Sequence, residues 1–196
     1  MSKINLFFKR TFDILFSLII ILLIAPILLL TSIAIKLDSK GPVLNRVTRF
    51  GPNGKSFSMY RFRTMHINIE NSGIAKMALE NDARITRLGL FLRKTSLDEL
   101  PAFLNVFFGD MSIVGPRPQI ANIAYLYFKK LNIHPNKNIK PGITGWAQVS
   151  YSNDDLGMED TLDKLARYDN YYIENWSLWF DFRILALTVI KGYKHS

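Results

Sequence analysis

The residues best able to do chemistry in this chain are arginines that recur near two adjacent carboxylates. The arginines lie in three short polar segments, at Arg61, Arg63, Arg93 and Arg117. The carboxylates are Asp98 and Glu99. A guanidinium donates a fixed fork of hydrogen bonds that matches phosphate oxygens, and a carboxylate can act as a nucleophile at phosphorus or as a Mg²⁺ ligand. This set suits a diphosphate substrate handled together with a divalent cation.

The same residues have simpler interpretations. Asp98 and Glu99 follow Ser96, and a helix that begins at Ser96 favours negative charge in its first turn. The arginines can equally form a solvated basic face. Residue types alone therefore leave a catalytic dyad and a helix terminus as alternatives.

Composition excludes several classes of site. The chain has 196 residues, three histidines and no cysteine, which excludes disulfide scaffolds, thiolate metal sites and cysteine nucleophiles. Residues 1–100 carry 15 basic and 7 acidic side chains, which gives +8 of the total charge of +9. The N-terminal half is thus expected to face phosphate esters or anionic lipid. Nucleic acid is not expected, because the aromatic residues lie in apolar runs and not between basic residues.

The first forty residues predict a membrane segment. Residues 14–35 are apolar except at Ser17, Pro26, Thr31 and Ser32. A helix of this length covers about 33 Å, enough for a ~30 Å hydrocarbon core. Both flanks are basic and Pro26 should kink the helix, so we expect it to enter the bilayer, bend and return to the same face. A straight span and a secretory signal peptide are the alternatives.

The remainder predicts a membrane-associated domain of mixed elements. Strands are expected at 43–50 and 55–60 around the Asn53-Gly54 turn, and Arg61 and Arg63 should share one face by strand periodicity. A polar loop and short helix are expected over 66–81, and helices over 96–108 and 160–175. Residues 176–193 form an amphipathic segment that suits either the headgroup level or an ordinary core.

Five motifs in order carry a resemblance to a known family. They are YRFRTM (60–65), RITRLG (84–89), LRKTSLDELP (92–101), GDMSIVGPRP (109–118) and KPGITGWAQV (140–149). Behind an apolar N-terminal helix, this order resembles the bacterial sugar transferase family, the small monotopic phosphoglycosyl transferases. Where that family often has Ser-Pro in the helix, this chain has Ala25-Pro26. The resemblance also implies a minimal catalytic version, without the extra spans and nucleotide-binding-like domain of larger relatives.

The resemblance implies an α+β, mostly helical fold. It has a re-entrant membrane helix in residues 1–40, then a cytoplasmic, membrane-associated catalytic domain in 41–196 with a short antiparallel hairpin and interfacial amphipathic helices. The implied location is the inner membrane of a bacterium, with the catalytic domain facing the cytoplasm. The oligomeric state is not fixed by the sequence, and a homodimer is kept as one alternative.

The implied reaction moves a sugar-1-phosphate from a UDP-sugar to undecaprenyl (polyprenyl) phosphate and releases UMP. It begins capsule, exopolysaccharide, O-antigen or glycoprotein glycan synthesis. By resemblance, Asp98 is the nucleophile and a Mg²⁺ ligand, Glu99 is the second dyad residue, and the phosphates are bound by Arg61, Arg63, Arg93 and Arg117. The rival hypotheses are a non-enzymatic membrane-anchored adaptor that binds anionic lipid, and a phospholipid headgroup transferase, whose expected aspartate-rich metal motif is absent.

Overall fold

A long N-terminal helix and a small mixed domain make up the structure, a computed structural model that describes residues 3–66, 82, 84–131, 139–150 and 158–191. Its helices are α1 (Lys3–Asp38), α2 (Arg87–Lys94), α3 (Ala102–Phe108), α4 (Ala121–Lys130), α5 (Trp146–Ser150), α6 (Met158–Glu174) and α7 (Leu178–Lys191). Its strands are β1 (Leu44–Phe50), β2 (Ser56–Phe62), β3 (Ser112–Val114) and β4 (Gly142–Thr144). The mostly helical α+β class is confirmed. The expected loop and helix of 66–81 lie almost entirely outside the described residues.

Helix α1 is long and apolar enough to cross a membrane. Its 36 residues correspond to about 54 Å, and only 11% of its most apolar stretch is buried against the rest of the protein. Leu22, Leu23 and Leu30 are each about two-thirds exposed. The chain stays helical through Pro26, so the expected return to one face of the bilayer stays a prediction.

The first turns of α1 are fixed to the domain by buried polar contacts. Asp13 Oδ1 accepts hydrogen bonds from the Ile113 backbone N–H at 2.9 Å and the Ser112 hydroxyl at 3.0 Å. Lys9 Nζ donates to Asp181 Oδ2 at 2.6 Å. A buried carboxylate or ammonium is stable only when it is paired, so these bonds define where α1 lies on β3 and α7.

The last turns of α1 contact the same domain. Ile35 is 2% exposed and packs in a small apolar cluster with Phe62 and Leu92. Arg63 donates to the Ile35 carbonyl at 3.2 Å and the Ser39 carbonyl at 2.7 Å. A cation at a helix C-terminus satisfies its free carbonyls and the negative end of its dipole. Both ends of α1 are therefore held by one domain.

The predicted hairpin is confirmed. Strands β1 and β2 pair antiparallel, with Asn45 opposite Arg61 and Arg49 opposite Phe57. Gly54, in the connecting turn, has φ of 74°, a conformation that glycine adopts readily. Since side chains alternate along a strand, Arg49 and Arg61 fall on the same face of the hairpin.

A second pair of strands was not predicted. β3 and β4 pair in parallel in the stretch between the helices predicted over 96–108 and 160–175, for which no strand was expected. Their loops pack closely: an ideal Cβ on Gly142 would lie 2.1 Å from the Gly115 nitrogen, and one on Gly145 would lie 2.3 Å from the Gly115 oxygen. Glycine is required here because any side chain would collide with backbone.

Helices α6 and α7 confirm the two C-terminal helical predictions and complete the core. Tyr172 and Ile184 are fully buried against Met111 and Val106. On the outer side of α7, Trp179 is 79% exposed, and Phe182, Val189 and Ile190 are also exposed. Such a face fits the headgroup level of a bilayer, and this interfacial placement stays a prediction.

Candidate active site

Asp98 and Glu99 lie in a 3₁₀ turn (Leu97–Glu99) and not in the first turn of an α-helix. The prediction of one helix over 96–108 is wrong at its start, because Pro101 has no N–H to bond to the Leu97 carbonyl. Leu100 makes the shorter bond to Leu97 instead, at 3.2 Å, and α3 begins after Pro101. Ser96 does not cap the turn and has φ of 58°, a left-handed conformation that costs about 1–3 kcal/mol in a non-glycine residue.

Arg61 joins the two carboxylates. Its Nη2 forms an ion pair with Glu99 Oε1, and its Nη1 lies 3.8 Å from Asp98 Oδ2. All three side chains are largely buried, with Asp98 5% exposed and Arg61 21% exposed. The structure thus brings together the arginine of the hairpin and the predicted dyad, 37 residues further along the chain. Arg61 directs its guanidinium at the carboxylates, so it orients the dyad as well as adding positive charge beside it.

The second oxygen of Asp98, Oδ1, is buried and makes no hydrogen bond to any part of the chain that the structure describes. A buried polar atom without a partner costs about 1–3 kcal/mol, and such atoms are rare in folded proteins. Among the atoms of the dyad, Oδ1 is thus an acceptor for which no protein donor in the described residues competes.

A cavity of about 740 Å³ opens beside the dyad and is lined at its polar end by Arg49, Arg61, Glu99 and Arg117. Its volume lies within the range of small-molecule sites. The rest of the lining is mostly apolar and includes Ile123, Ile143, Leu165, Leu185 and Val189, with threonines and glutamines among them. Asp98 itself is buried next to this lining and does not form part of it. The cavity therefore offers cations to phosphate groups and an apolar wall to a hydrocarbon.

Sequence reasoning missed Arg49. Burial and the neighbouring charges of Arg61 and Arg117 lower the pKa of Arg49 to about 10. Three neighbouring guanidiniums raise the local positive potential even though Arg61 is paired with Glu99, and a positive potential of this kind attracts phosphate groups. The alternation of side chains along the strands could have identified Arg49 from the sequence, because it places Arg49 on the same hairpin face as Arg61.

Arg117 reaches the cavity because its loop is pinned to the hairpin. The backbones of Gln119 and Phe50 exchange two hydrogen bonds, at 2.9 and 3.0 Å. The Gln119 side chain donates to the Arg117 carbonyl at 3.1 Å. Phe50 directly follows Arg49 in β1, so these bonds join the strand that carries Arg49 to the loop that carries Arg117.

Arg63 and Arg93 lie elsewhere. The prediction that Arg61 and Arg63 share a face is wrong, because β2 ends at Phe62 and Arg63 turns to the C-terminus of α1. Arg63 is 3% exposed and has no position in the cavity lining. Arg93 donates from Nε to the Thr64 hydroxyl at 2.9 Å and also lies outside that lining. The phosphate-binding role of these two arginines stays a prediction.

The residues present fit a Mg²⁺ ion that is shared with a substrate. No group of three or more acidic or histidine side chains that could hold a metal occurs among the described residues. Mg²⁺ is commonly bound by one or two carboxylates together with substrate phosphates and water. Asp98 and Glu99 would supply that smaller protein contribution, and Asp98 Oδ1 is a buried oxygen without a protein partner in the described ranges.

These features define a protein with a long apolar N-terminal helix and a carboxylate pair beside a cavity that three arginines line. The particular family follows from comparison: the family model for bacterial sugar transferases matches residues 4–195. The chain belongs to the bacterial sugar transferase family.

Curated relatives extend this result. The chain is 45% identical over 197 residues to a UDP-glucose:undecaprenyl-phosphate glucose-1-phosphate transferase of Escherichia coli (strain K12), covering 98% of this chain and 42% of the relative. It is 42% identical to a UDP-N-acetylgalactosamine-undecaprenyl-phosphate N-acetylgalactosaminephosphotransferase of Aeromonas hydrophila, covering 96% and 44%. It is 40% identical to an exopolysaccharide production protein of Rhizobium leguminosarum bv. phaseoli, covering 95% and 96%. The chain thus spans less than half of the first two relatives.

Proposed function

We propose that this protein transfers a sugar-1-phosphate from a UDP-sugar to undecaprenyl phosphate. The observation that carries the proposal is the ion-paired group of Asp98, Glu99 and Arg61, of which Glu99 and Arg61 line a largely apolar cavity and Asp98 lies buried directly behind that lining. The names of the relatives above supply the donor and acceptor classes. Relatives that use different sugars match about equally well, so the sugar itself is left to experiment.

The first half-reaction uses the Asp98 carboxylate as nucleophile. It attacks the β-phosphorus of the UDP-sugar, the bond from that phosphorus to the bridging oxygen breaks, and UMP leaves with the oxygen. An aspartyl-phosphosugar remains. Arg49 and Arg117 bind the diphosphate, and Arg61 holds Asp98 and Glu99 in place. Asp98 and Glu99 would hold Mg²⁺, and the bound ion would neutralise part of the negative charge of the phosphates.

The second half-reaction uses the same site. An oxygen of undecaprenyl phosphate attacks the phosphorus of the aspartyl-phosphosugar, the bond to Asp98 breaks, and the carboxylate is regenerated. The product is a polyprenyl-diphosphate-sugar. The apolar wall formed by Ile143, Leu165 and Val189 suits the hydrocarbon of this acceptor. Because both partners meet one phosphorus in turn, ping-pong kinetics are expected.

The proposed topology is re-entrant, with both ends of α1 on the cytoplasmic face of the inner membrane. It is supported by the contacts of Asp13 with Ile113 and of Arg63 with Ser39, which hold the two ends of α1 to one domain. A helix that crossed the bilayer once would place its ends on opposite sides, where one small polar domain could not reach both. The reaction would begin an exopolysaccharide or related glycan.

The test is to trap the intermediate. The protein is incubated with Mg²⁺ and UDP-glucose or UDP-N-acetylgalactosamine labelled in the sugar, without lipid acceptor. Wild type should release up to about one equivalent of UMP and retain label on the peptide that contains Asp98. Undecaprenyl phosphate should then discharge the label into lipid. Asp98→Asn should abolish both events, Glu99→Gln should slow them, and the surface variant Asp163→Asn should behave as wild type.

Two outcomes would contradict the proposal. UMP release that requires the lipid, with no labelled protein, would indicate direct transfer, and Asp98 would then be a metal ligand or a general base. No UMP release with any donor, together with unchanged membrane binding in Asp98→Asn, would favour the non-enzymatic adaptor.

A further inference from the structure

A second, smaller cavity lies beside the N-terminal turns of α1. Its volume is about 170 Å³, and its lining includes Leu6, Lys9, Arg10, Lys140, Tyr172 and Trp176. It shares no lining residue with the large cavity at the dyad. The roles proposed above for Asp98, Arg49 and Arg117 leave this cavity unused.

Two cations converge on one point of this region. An ideal Cβ built on Gly109 would lie 3.2 Å from Arg10 Nη2 and 3.3 Å from Lys140 Nζ. Gly109 closes α3 with φ of 101°, a conformation that glycine adopts readily. Arg10 and Lys140 both line the neighbouring cavity, so an oxyanion in that cavity would meet both positive groups.

Among the described residues, neither Arg10 nor Lys140 forms an ion pair with a carboxylate. Arg10 donates to the Val106 carbonyl at 2.6 Å and the Phe107 carbonyl at 2.7 Å, at the C-terminal end of α3. In the described ranges, Lys140 Nζ has no carboxylate within ion-pair distance. Burial, and secondarily the charge of Arg10, lower the pKa of Lys140. A half-buried ammonium beside a guanidinium is destabilising unless an anion accompanies it.

The nearby carboxylates are already committed. Asp13 accepts from Ile113 and Ser112, and Asp181 is paired with Lys9. Asp110 accepts a hydrogen bond from the Asn105 side chain at 3.2 Å. Lys9, Arg10 and Lys140 line the cavity together with one carboxylate, Asp13, and Lys9 is paired with Asp181. The charges of Asp13 and Asp110 offset part of the lowering of the Lys140 pKa, and the lining still carries more positive than negative charge.

The surroundings of the cavity are apolar and exposed. Phe7 and Phe8 of α1 are 69% and 54% exposed, and Phe108, next to Gly109, is 65% exposed. Leu6 and Trp176 belong to the lining itself. Apolar side chains around a basic pocket at the start of a membrane helix match the boundary between acyl chains and headgroups.

We propose that this cavity binds the phosphate of an anionic membrane lipid, through Arg10 and Lys140, as a site separate from the catalytic cavity. The lipid phosphate lies in the cavity, within reach of Arg10 and Lys140, and its acyl chains lie along Phe7, Phe8 and Phe108. The bound headgroup supplies the anion that the fold itself does not, so lipid and protein stabilise each other.

The experiment measures thermal unfolding of the detergent-purified chain with dihexanoyl phosphatidylglycerol, dihexanoyl phosphatidylcholine or inorganic phosphate. Phosphatidylglycerol should raise the Tm of wild type more than the other two. Lys140→Gln should weaken phosphatidylglycerol binding at least tenfold. Without lipid, the same variant should have a Tm equal to or above that of wild type, because it removes a charge without a carboxylate partner. A loss of ordinary packing would lower that Tm, so the two effects have opposite signs.

Matched variants locate the site. Lys129→Gln, an exposed lysine on α4, and Arg117→Gln, in the large cavity, should both keep the wild-type response to phosphatidylglycerol. An equal response to inorganic phosphate would exclude a lipid site. A response that survives Lys140→Gln and disappears in Arg117→Gln would place the lipid in the catalytic cavity. A lipid-free Tm for Lys140→Gln well below that of Lys129→Gln would show that Lys140 has a protein partner. Each of these three results would overturn the proposal.

Discussion

Replacing Asp169 with asparagine should stabilise the protein at both pH values, by about 1–2 kcal/mol at pH 5 and by about 4 kcal/mol at pH 8. Asp169 lies in α6, is 1% exposed, and accepts a hydrogen bond from the Tyr127 hydroxyl of α4. Burial raises the pKa of this carboxyl from 3.8 to about 7, and the hydrogen bond from Tyr127 offsets only part of that change. The fold therefore prefers the protonated carboxyl, which asparagine resembles in shape and charge.

The magnitude follows from the two pKa values. Between about pH 4 and pH 7 the folded protein keeps this proton while the unfolded chain loses it, so stability is greatest below pH 4 and falls as the pH rises to about 7. At about 1.4 kcal/mol per pH unit, the whole loss is about 4 kcal/mol, of which about 3 kcal/mol falls between pH 5 and pH 8. Asparagine does not titrate, so the variant should escape this loss.

The assay compares the Tm of Asp169→Asn and wild type in detergent at both pH values. For a chain of this size, 3 kcal/mol corresponds to about 6–12 °C in the difference between pH 8 and pH 5. The control is Asp163→Asn on the same helix, whose side chain is 47% exposed and pairs with Lys130. It should change the Tm little at either pH. An Asp169→Asn effect that is equal at both pH values, or destabilising at pH 8, would refute the reasoning.

The catalytic and topological predictions are tested separately. Arg117→Lys keeps the charge but loses the guanidinium fork, so UMP release should fall at least tenfold, or about 1.4 kcal/mol in the barrier; wild-type rates would make Arg117 a surface charge. Arg49→Gln should raise the KM for the UDP-sugar at least tenfold, and an unchanged KM would remove Arg49 from the donor site. Cysteines introduced singly for Lys3 and Lys55 should both resist an impermeant maleimide in intact cells, whereas labelling of one alone would establish a straight span. Pro26→Ala should favour that straight span.

Local patterns in the sequence predicted the elements that depend on local interactions. The Asn53-Gly54 turn and the alternation around it gave the hairpin, and the apolar run of α1 gave the long helix. Both signals act within a few residues, so no knowledge of the rest of the fold was needed. The proximity of Arg61 to Asp98 and Glu99 followed instead from the family resemblance, because nothing local brings residues 37 positions apart together.

The errors came from long-range contacts and from proline. The 3₁₀ turn at Asp98 depends on the missing N–H of Pro101, which was assigned to the first turns of a longer helix. Arg63 turns away from the site because β2 ends one residue earlier and because the C-terminus of α1 offers carbonyls. The parallel pairing of β3 and β4 joins segments 30 residues apart, and periodicity over three-residue strands carries no usable signal.

The polar contacts of α1 also limit how the protein can be re-engineered. Asp13 is placed in a helix that is otherwise suited to lipid, and its partners are the Ile113 N–H and the Ser112 hydroxyl of the domain. An unrelated membrane anchor of equal length and hydropathy would leave those donors unsatisfied, and α1 fused to another protein would carry an unpaired carboxylate into the bilayer. The helix is therefore not an interchangeable anchor. Chimeras should exchange α1 and the domain together.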